Sequence, residues 1–127
     1  MIVDIHTHIP THVEAVPEDE ELYDEVMRPD TTVRLTHSFS DFNKAMVDVD
    51  IAIAFGIAVN PHGGERIEGP MNEQTSINDM ASSLAKAYPD KVIGFMSVHP
   101  EDPHVVDEMD RCVNKLGLKG IKLAPNY

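Results

Sequence analysis

Asp4-Ile5-His6-Thr7-His8 places two imidazoles two residues apart at the end of a short apolar run. Side chains two apart on a strand share a face, so His6 and His8 project together from its carboxyl end. Each can give one ring nitrogen to a divalent ion at about 2.0–2.1 Å, and the pair reads as the first two metal ligands of a site. Asp4 has the same parity and would orient the ligands as an acceptor behind them. The bland alternative is a chance His-Thr-His on a surface strand. Position speaks for the metal: the pair sits on the first strand, directly before a long loop.

Lys119-Gly120-Ile121-Lys122-Leu123-Ala124-Pro125 is the second feature. If Ile121 and Leu123 face covering helices, then Gly120, Lys122 and Ala124 face the opposite side, toward a barrel axis. A lysine there is costly to bury unless it is used. Lys122 would bind a substrate carboxylate or, as a carbamate, bridge two metal ions; a strand turned over would leave it in solvent. Ser97-Val98-His99-Pro100 ends another apolar run, and His99 would contact substrate, hydrogen-bond across the rim, or serve its loop alone. His62, beside Gly63 and Gly64, reads as a bystander, and His12, His37 and His104 receive no role. Cys112 falls on the apolar face of a helix and reads as a buried thiol, not a nucleophile.

The elements that must hold these residues are legible as apolar runs and amphipathic stretches. Ile2–Ile5, Ile51–Val59, Val92–Val98 and Gly120–Leu123 read as strands. The second of them has no polar residue, as expected of a strand covered on both faces. Asp41–Val49 places Phe42, Ala45, Met46 and Val49 on one helical face, and Ile77–Tyr88 places Ile77, Met80, Ala81, Leu84, Ala85 and Tyr88 on another before Pro89 stops it. A third helix has Asp102 as its cap, Pro103 in its first turn and Gly117 at its close, with an apolar stripe of Val105, Val106, Met109, Cys112, Val113 and Leu116. Strand and helix alternate throughout, which is the pattern of βαβ units around a parallel sheet. All seven histidines fall at strand carboxyl ends or in the loops after them. In α/β barrels that is the face that carries chemistry.

The 127 residues suffice for one domain, with no internal boundary. Acidic residues outnumber basic ones 22 to 10, for a net charge of −12. Such a surface repels phosphate backbones and anionic membranes, which argues against nucleic acid and membrane partners. The acidic stretch Glu14–Glu25 reads as a solvated loop or short exposed helix. No apolar run approaches a membrane span and the first residues lack a signal-peptide pattern, so the expected location is cytoplasmic. A single cysteine excludes an internal disulfide.

Asp-Ile-His-Thr-His, then Gly-Phe-Met-Ser-Val-His-Pro, then Leu-Gly-Leu-Lys-Gly-Ile-Lys-Leu resemble, in that order, the amidohydrolase superfamily. More narrowly they resemble its amidohydrolase-related branch, which includes aminocarboxymuconate-semialdehyde decarboxylase, resorcylate-type decarboxylases and pyrone-dicarboxylate hydrolases. The resemblance implies that His6 and His8 are first-strand metal ligands and that Lys122 holds the fourth-strand lysine position. Many relatives carry histidine where this chain has Ala124. The family's further ligands, a histidine after the fifth strand and an aspartate after the eighth that would shuttle protons, have no counterpart in these residues.

The expected fold is therefore α/β: the first four parallel strands, with intervening helices, of a (β/α)₈ barrel that takes about 250 residues when whole. The expected protein is a metal-dependent hydrolase or carboxy-lyase for a small carboxylated or carbonyl substrate, using zinc or else manganese. Its N-terminal half alone is expected to be inactive, and to need its C-terminal half or a second copy. Two alternatives stand beside it. One is a His-x-His barrel phosphoesterase of the polymerase-and-histidinol-phosphatase type, and the other a non-catalytic half barrel acting in binding or assembly.

Overall fold

The computed structural model describes residues 1–27, 37–58 and 76–123. In chain order its elements are β1 (Val3–His8), α1 (Glu18–Met27), α2 (Phe39–Ala45), β2 (Ile51–Phe55), α3 (Ile77–Ala87), β3 (Val92–Ser97), α4 (Val105–Arg111) running into a π-helical segment (Cys112–Leu116), and β4 (Gly120–Lys122). They fall into two units, Met1–Ile9 with Val49–Tyr127, and Pro10–Asp48.

The first unit holds the sheet. Its order is β1-β2-β3-β4, and every neighbouring pair is parallel. Alternate residues of β2 and β3 turn toward α3: Ala52 pairs with Val92, and Ala54 with Gly94. A Cβ on Gly94 would sit 2.6 Å from Leu118 Cδ2 and 3.1 Å from the Ala81 carbonyl oxygen, so only glycine lets the helix layer come this close. Ala81, Met96, Cys112 and Leu118 form the buried cluster there, with Ile9, Met109 and Leu116 packed against it.

Helix α3 matches its apolar pattern, with Met80, Ala81 and Leu84 buried and Ser76 capping its start by accepting from the Asp79 N–H. The third expected helix differs from its reading at its start, and ends at Gly117 as expected. Its N-cap is His104, and Asp102 instead makes a turn before it: Oδ1 accepts from the His104 N–H at 2.8 Å, and its carbonyl from the Val105 N–H at 3.0 Å. Pro103 thus lies outside the helix. At the other end the wider π turn closes on Gly117, whose φ of 75° suits a residue without a Cβ. The apolar stripe is narrower than expected. Cys112 is buried and Met109 and Leu116 join the core, whereas Val106 and Val113, one step round from Val105 and Cys112, are exposed.

In the second unit His12 and Ser38 form a parallel bridge, and Val16, Phe39 and Phe42 are buried. Helix α2 starts earlier than its reading because Ser38 and Asp41 form a reciprocal capping box; it ends at Ala45, which is exposed. The acidic stretch supplies α1, a helix with Glu18, Asp19, Glu20 and Glu21 in its first turn and exposed Leu22, Tyr23 and Val26. Carboxylates at that end favour a helix through its dipole, which decides between the loop and helix readings. Among the described residues no helix is long and apolar enough to cross a membrane.

Candidate functional site

An irregularity in β1 decides which way its side chains face. Asp4 pairs with Ala52 and His8 with Phe55, with a register shift between Asp4 and Thr7. Ala52 and Phe55 lie on opposite faces of β2, so the shift turns Asp4 away from the face that His8 shares. Asp4 therefore does not stand behind the imidazoles as their spacing implied. Its Oδ1 accepts from the His6 backbone N–H at 3.0 Å and supports the irregular turn of the strand. Thr7, buried between the two histidines, donates from Oγ1 to the Ile53 carbonyl at 2.7 Å and pins the end of β1 to β2.

His6 and His8 meet across the Phe55 ring. Their ring centroids are 5.5 Å apart with planes tilted by 33°. His6 meets Phe55 edge-on at 5.1 Å, and His8 lies 5.8 Å from it. Lys122 reaches the same ring, with Nζ 5.0 Å from its centroid. The pairing of Phe95 with Gly120 and of Ser97 with Lys122 sets this reach. A Cβ on Gly120 would run into the Phe95 ring, so glycine is what allows β4 to lie against β3 at this point. Lys122 thus occupies the face of the histidines, not the far side of a reversed strand. Burial, then the neighbouring His6 and Lys122, hold the His8 imidazole below its ordinary pKa of 6.5 and so keep it neutral.

This geometry fits two ligands of one metal ion. Two imidazoles bound near-tetrahedrally at about 2.0–2.1 Å have ring centroids about 5 Å apart, close to the separation found. Among the described residues no group of three or more His, Cys, Asp and Glu gathers for such an ion.

His99 is 6% exposed, and its Nδ1 accepts from the Glu101 backbone N–H at 3.2 Å. His62, Ala124 and Pro125 lie outside the described residues. In the second unit His12 Nε2 is 3.3 Å from Glu20 Oε2, and Nδ1 shares a hydrogen bond with Thr11 Oγ1 at 2.8 Å. Cys112 is fully buried with Sγ 3.5 Å from Glu108 Oε1. Burial and the Glu108 charge push its thiol up to about 12, so it stays protonated and unreactive.

Two residues matter to the site that their types alone did not single out. Phe55 is the platform on which His6, His8 and Lys122 meet; its only signal was an aromatic ending an otherwise aliphatic strand. Asn78 is buried on α3 and holds the end of β3, its Oδ1 accepting from the Ser97 N–H at 2.8 Å and its Nδ2 donating to the Ser97 carbonyl at 3.1 Å. Nδ2 also donates to Glu108 Oε1 at 2.8 Å. Arg111 in turn bridges Glu108 and Asp79, with Nε 2.7 Å from Glu108 Oε2 and Nη2 2.9 Å from Asp79 Oδ2. The strand end beside Lys122 is thereby fixed through two helices.

Residues 3–127 match the protein family described as Amidohydrolase. The chain belongs to the amidohydrolase family. A comparison with curated proteins gives no match. Membership over almost the entire sequence makes the four parallel strands and their helices part of an amidohydrolase α/β barrel domain. At the level of the family it also makes the protein a metal-dependent enzyme of the hydrolase or lyase type.

Proposed function

We infer that this amidohydrolase chain carries part of the active site of a barrel enzyme that hydrolyses or decarboxylates a small carboxylated or carbonyl compound. The observation that carries the reading is the meeting of His6, His8 and Lys122 on one aromatic ring, Phe55. His6 and His8 hold a divalent ion, zinc in the first place and manganese otherwise, through one nitrogen each. When bound, such an ion supplies Lewis acidity toward a carbonyl or carboxylate oxygen. His8, kept neutral by its surroundings, presents a free lone pair near neutral pH. Lys122 supplies a positive charge for a substrate carboxylate, and Phe55 beneath it keeps water from one side of that pair. His99 adds a polar contact at the same rim.

Within the family, the resemblance of the Gly-Phe-Met-Ser-Val-His-Pro and Lys-Gly-Ile-Lys-Leu segments supports the aminocarboxymuconate-semialdehyde decarboxylase-like branch. Two histidines make an incomplete shell, so further ligands come from strands beyond these residues or from another copy. Exposed Val3, Ile93 and Leu123 favour such a cover for the sheet. Without it the 127 residues bind metal and do not turn over. The acidic surface suits a small-molecule enzyme of the cytoplasm without nucleic acid or membrane partners.

Calorimetric titration of zinc into the chain tests the ligand pair. Weak binding is expected in the wild type, and its loss in His6→Ala and in His8→Ala. Undiminished binding by the double variant would remove the pair as the site.

A further inference from the structure

His99 combines two properties that together define its chemistry. Its side chain is more than nine-tenths buried, and among the described residues Nε2 has no hydrogen-bond partner. Its other nitrogen is already committed, since Nδ1 accepts from the Glu101 N–H. In a neutral imidazole one nitrogen accepts and the other carries the proton. The Glu101 amide therefore fixes the proton of His99 on Nε2. Such a ring cannot lend Nε2 to a metal ion or take up a proton there without first losing the one it has. It can only donate. A buried donor without an acceptor is unfavourable, and the deficit is relieved when an oxygen arrives to accept it.

The backbone holds this donor at the active end of the sheet. His99 follows two residues after Ser97, whose N–H and carbonyl are both clamped by Asn78 and whose Oγ donates to the Gly56 carbonyl. Ser97 is also the register partner of Lys122. We propose that His99 is a substrate-binding residue that acts only as a neutral Nε2–H donor to a carboxylate or carbonyl oxygen, with Lys122 supplying the charge. This rests on the substrate class inferred above and assigns His99 neither metal ligation nor general-base work.

Long-range ¹H–¹⁵N NMR of the 127-residue chain reads the tautomer, and malonate serves as the carboxylate probe. The expected result is a proton on Nε2 at neutral pH, with its resonance moving as malonate is added. His99→Leu should bind malonate about tenfold more weakly, the size of a lost hydrogen bond to a charged group. His99→Gln, which keeps an N–H donor, should recover most of that loss, with thermal unfolding midpoints confirming that both variants fold. A proton on Nδ1, or wild-type malonate affinity in His99→Leu alongside a loss in Lys122→Met, overturns the assignment and leaves the substrate class standing. Failure of the wild type to bind malonate overturns the substrate class itself and, with it, the role of His99 toward that ligand.

Discussion

The Nζ atom of Lys122 lies 5.0 Å from the centroid of the Phe55 ring, which joins the last strand of the sheet to the second across the face that carries His6 and His8. A cation over an aromatic face gains about 0.5–2 kcal/mol, depending on how far water is excluded. Phe55→Leu keeps the bulk and removes the ring face. It should destabilise the chain by about 1 kcal/mol in urea unfolding and weaken zinc binding several-fold, because both imidazoles lose the wall against which they are oriented. Unchanged zinc affinity would show that the histidines orient each other without it.

His8 makes the site sensitive to pH in a defined direction. Its pKa in the folded chain lies below 6.5, whereas the unfolded chain takes up a proton at the ordinary value. As pH falls below that value the unfolded state binds more protons than the folded state, and stability declines toward the lowered pKa. The thermal midpoint of the metal-free chain should drop across this window, and drop less in His8→Ala. Zinc competes with the same proton, so zinc binding should persist to a lower pH than an unperturbed histidine would allow.

The Arg111 bridge predicts a second, more acidic transition. Hydrogen bonds from Arg111 hold Asp79 and Glu108 below the usual carboxylate range. Carboxylates depressed in this way contribute stability that is complete above their unfolded pKa values and is lost as pH falls through the folded ones. Arg111→Met should lower the midpoint at pH 7 by about 4 °C and flatten its decline below about pH 4. An acid limb as steep as that of the wild type would mean that other carboxylates govern it.

Gly120 has no room for a methyl group under Phe95. Gly120→Ala should cost about 1–3 kcal/mol, because Phe95 must leave its rotamer or β4 must move away from β3. The measurement is urea unfolding, with a lower midpoint at constant slope. A shift below a few tenths of a kcal/mol would show that the Phe95 ring gives way freely.

The Cys112 thiol, fully buried and pushed up to about 12, should resist a thiol-reactive dye in the native chain and react stoichiometrically once the chain is unfolded. Rapid labelling of the folded protein would contradict its place in the core.

The sequence by itself determined the alternation of strands and helices, the parallel sheet and the side of it that carries the histidines. These follow from local apolar patterning: β2 reads as buried because it has no polar residue, and α3 because its apolar positions recur at helical spacing. The His-x-His pair was legible for the same reason, since side chains two apart share a face wherever the strand runs regularly. Tertiary structure decided what depends on neighbours distant in the chain. The register shift against β2 turned Asp4 from the face its parity assigned, and pairing with β2 is not written in β1 alone. The meeting of Phe55 with Lys122 spans residues far apart in sequence and exists only once β3 has aligned β4. The start of α4 passed from Asp102 to His104 because the Asp102 carboxylate bonded in a turn instead of capping the helix. Spacing can propose which side chains share a surface, but whether they touch is set by the packing of strands that the spacing does not contain.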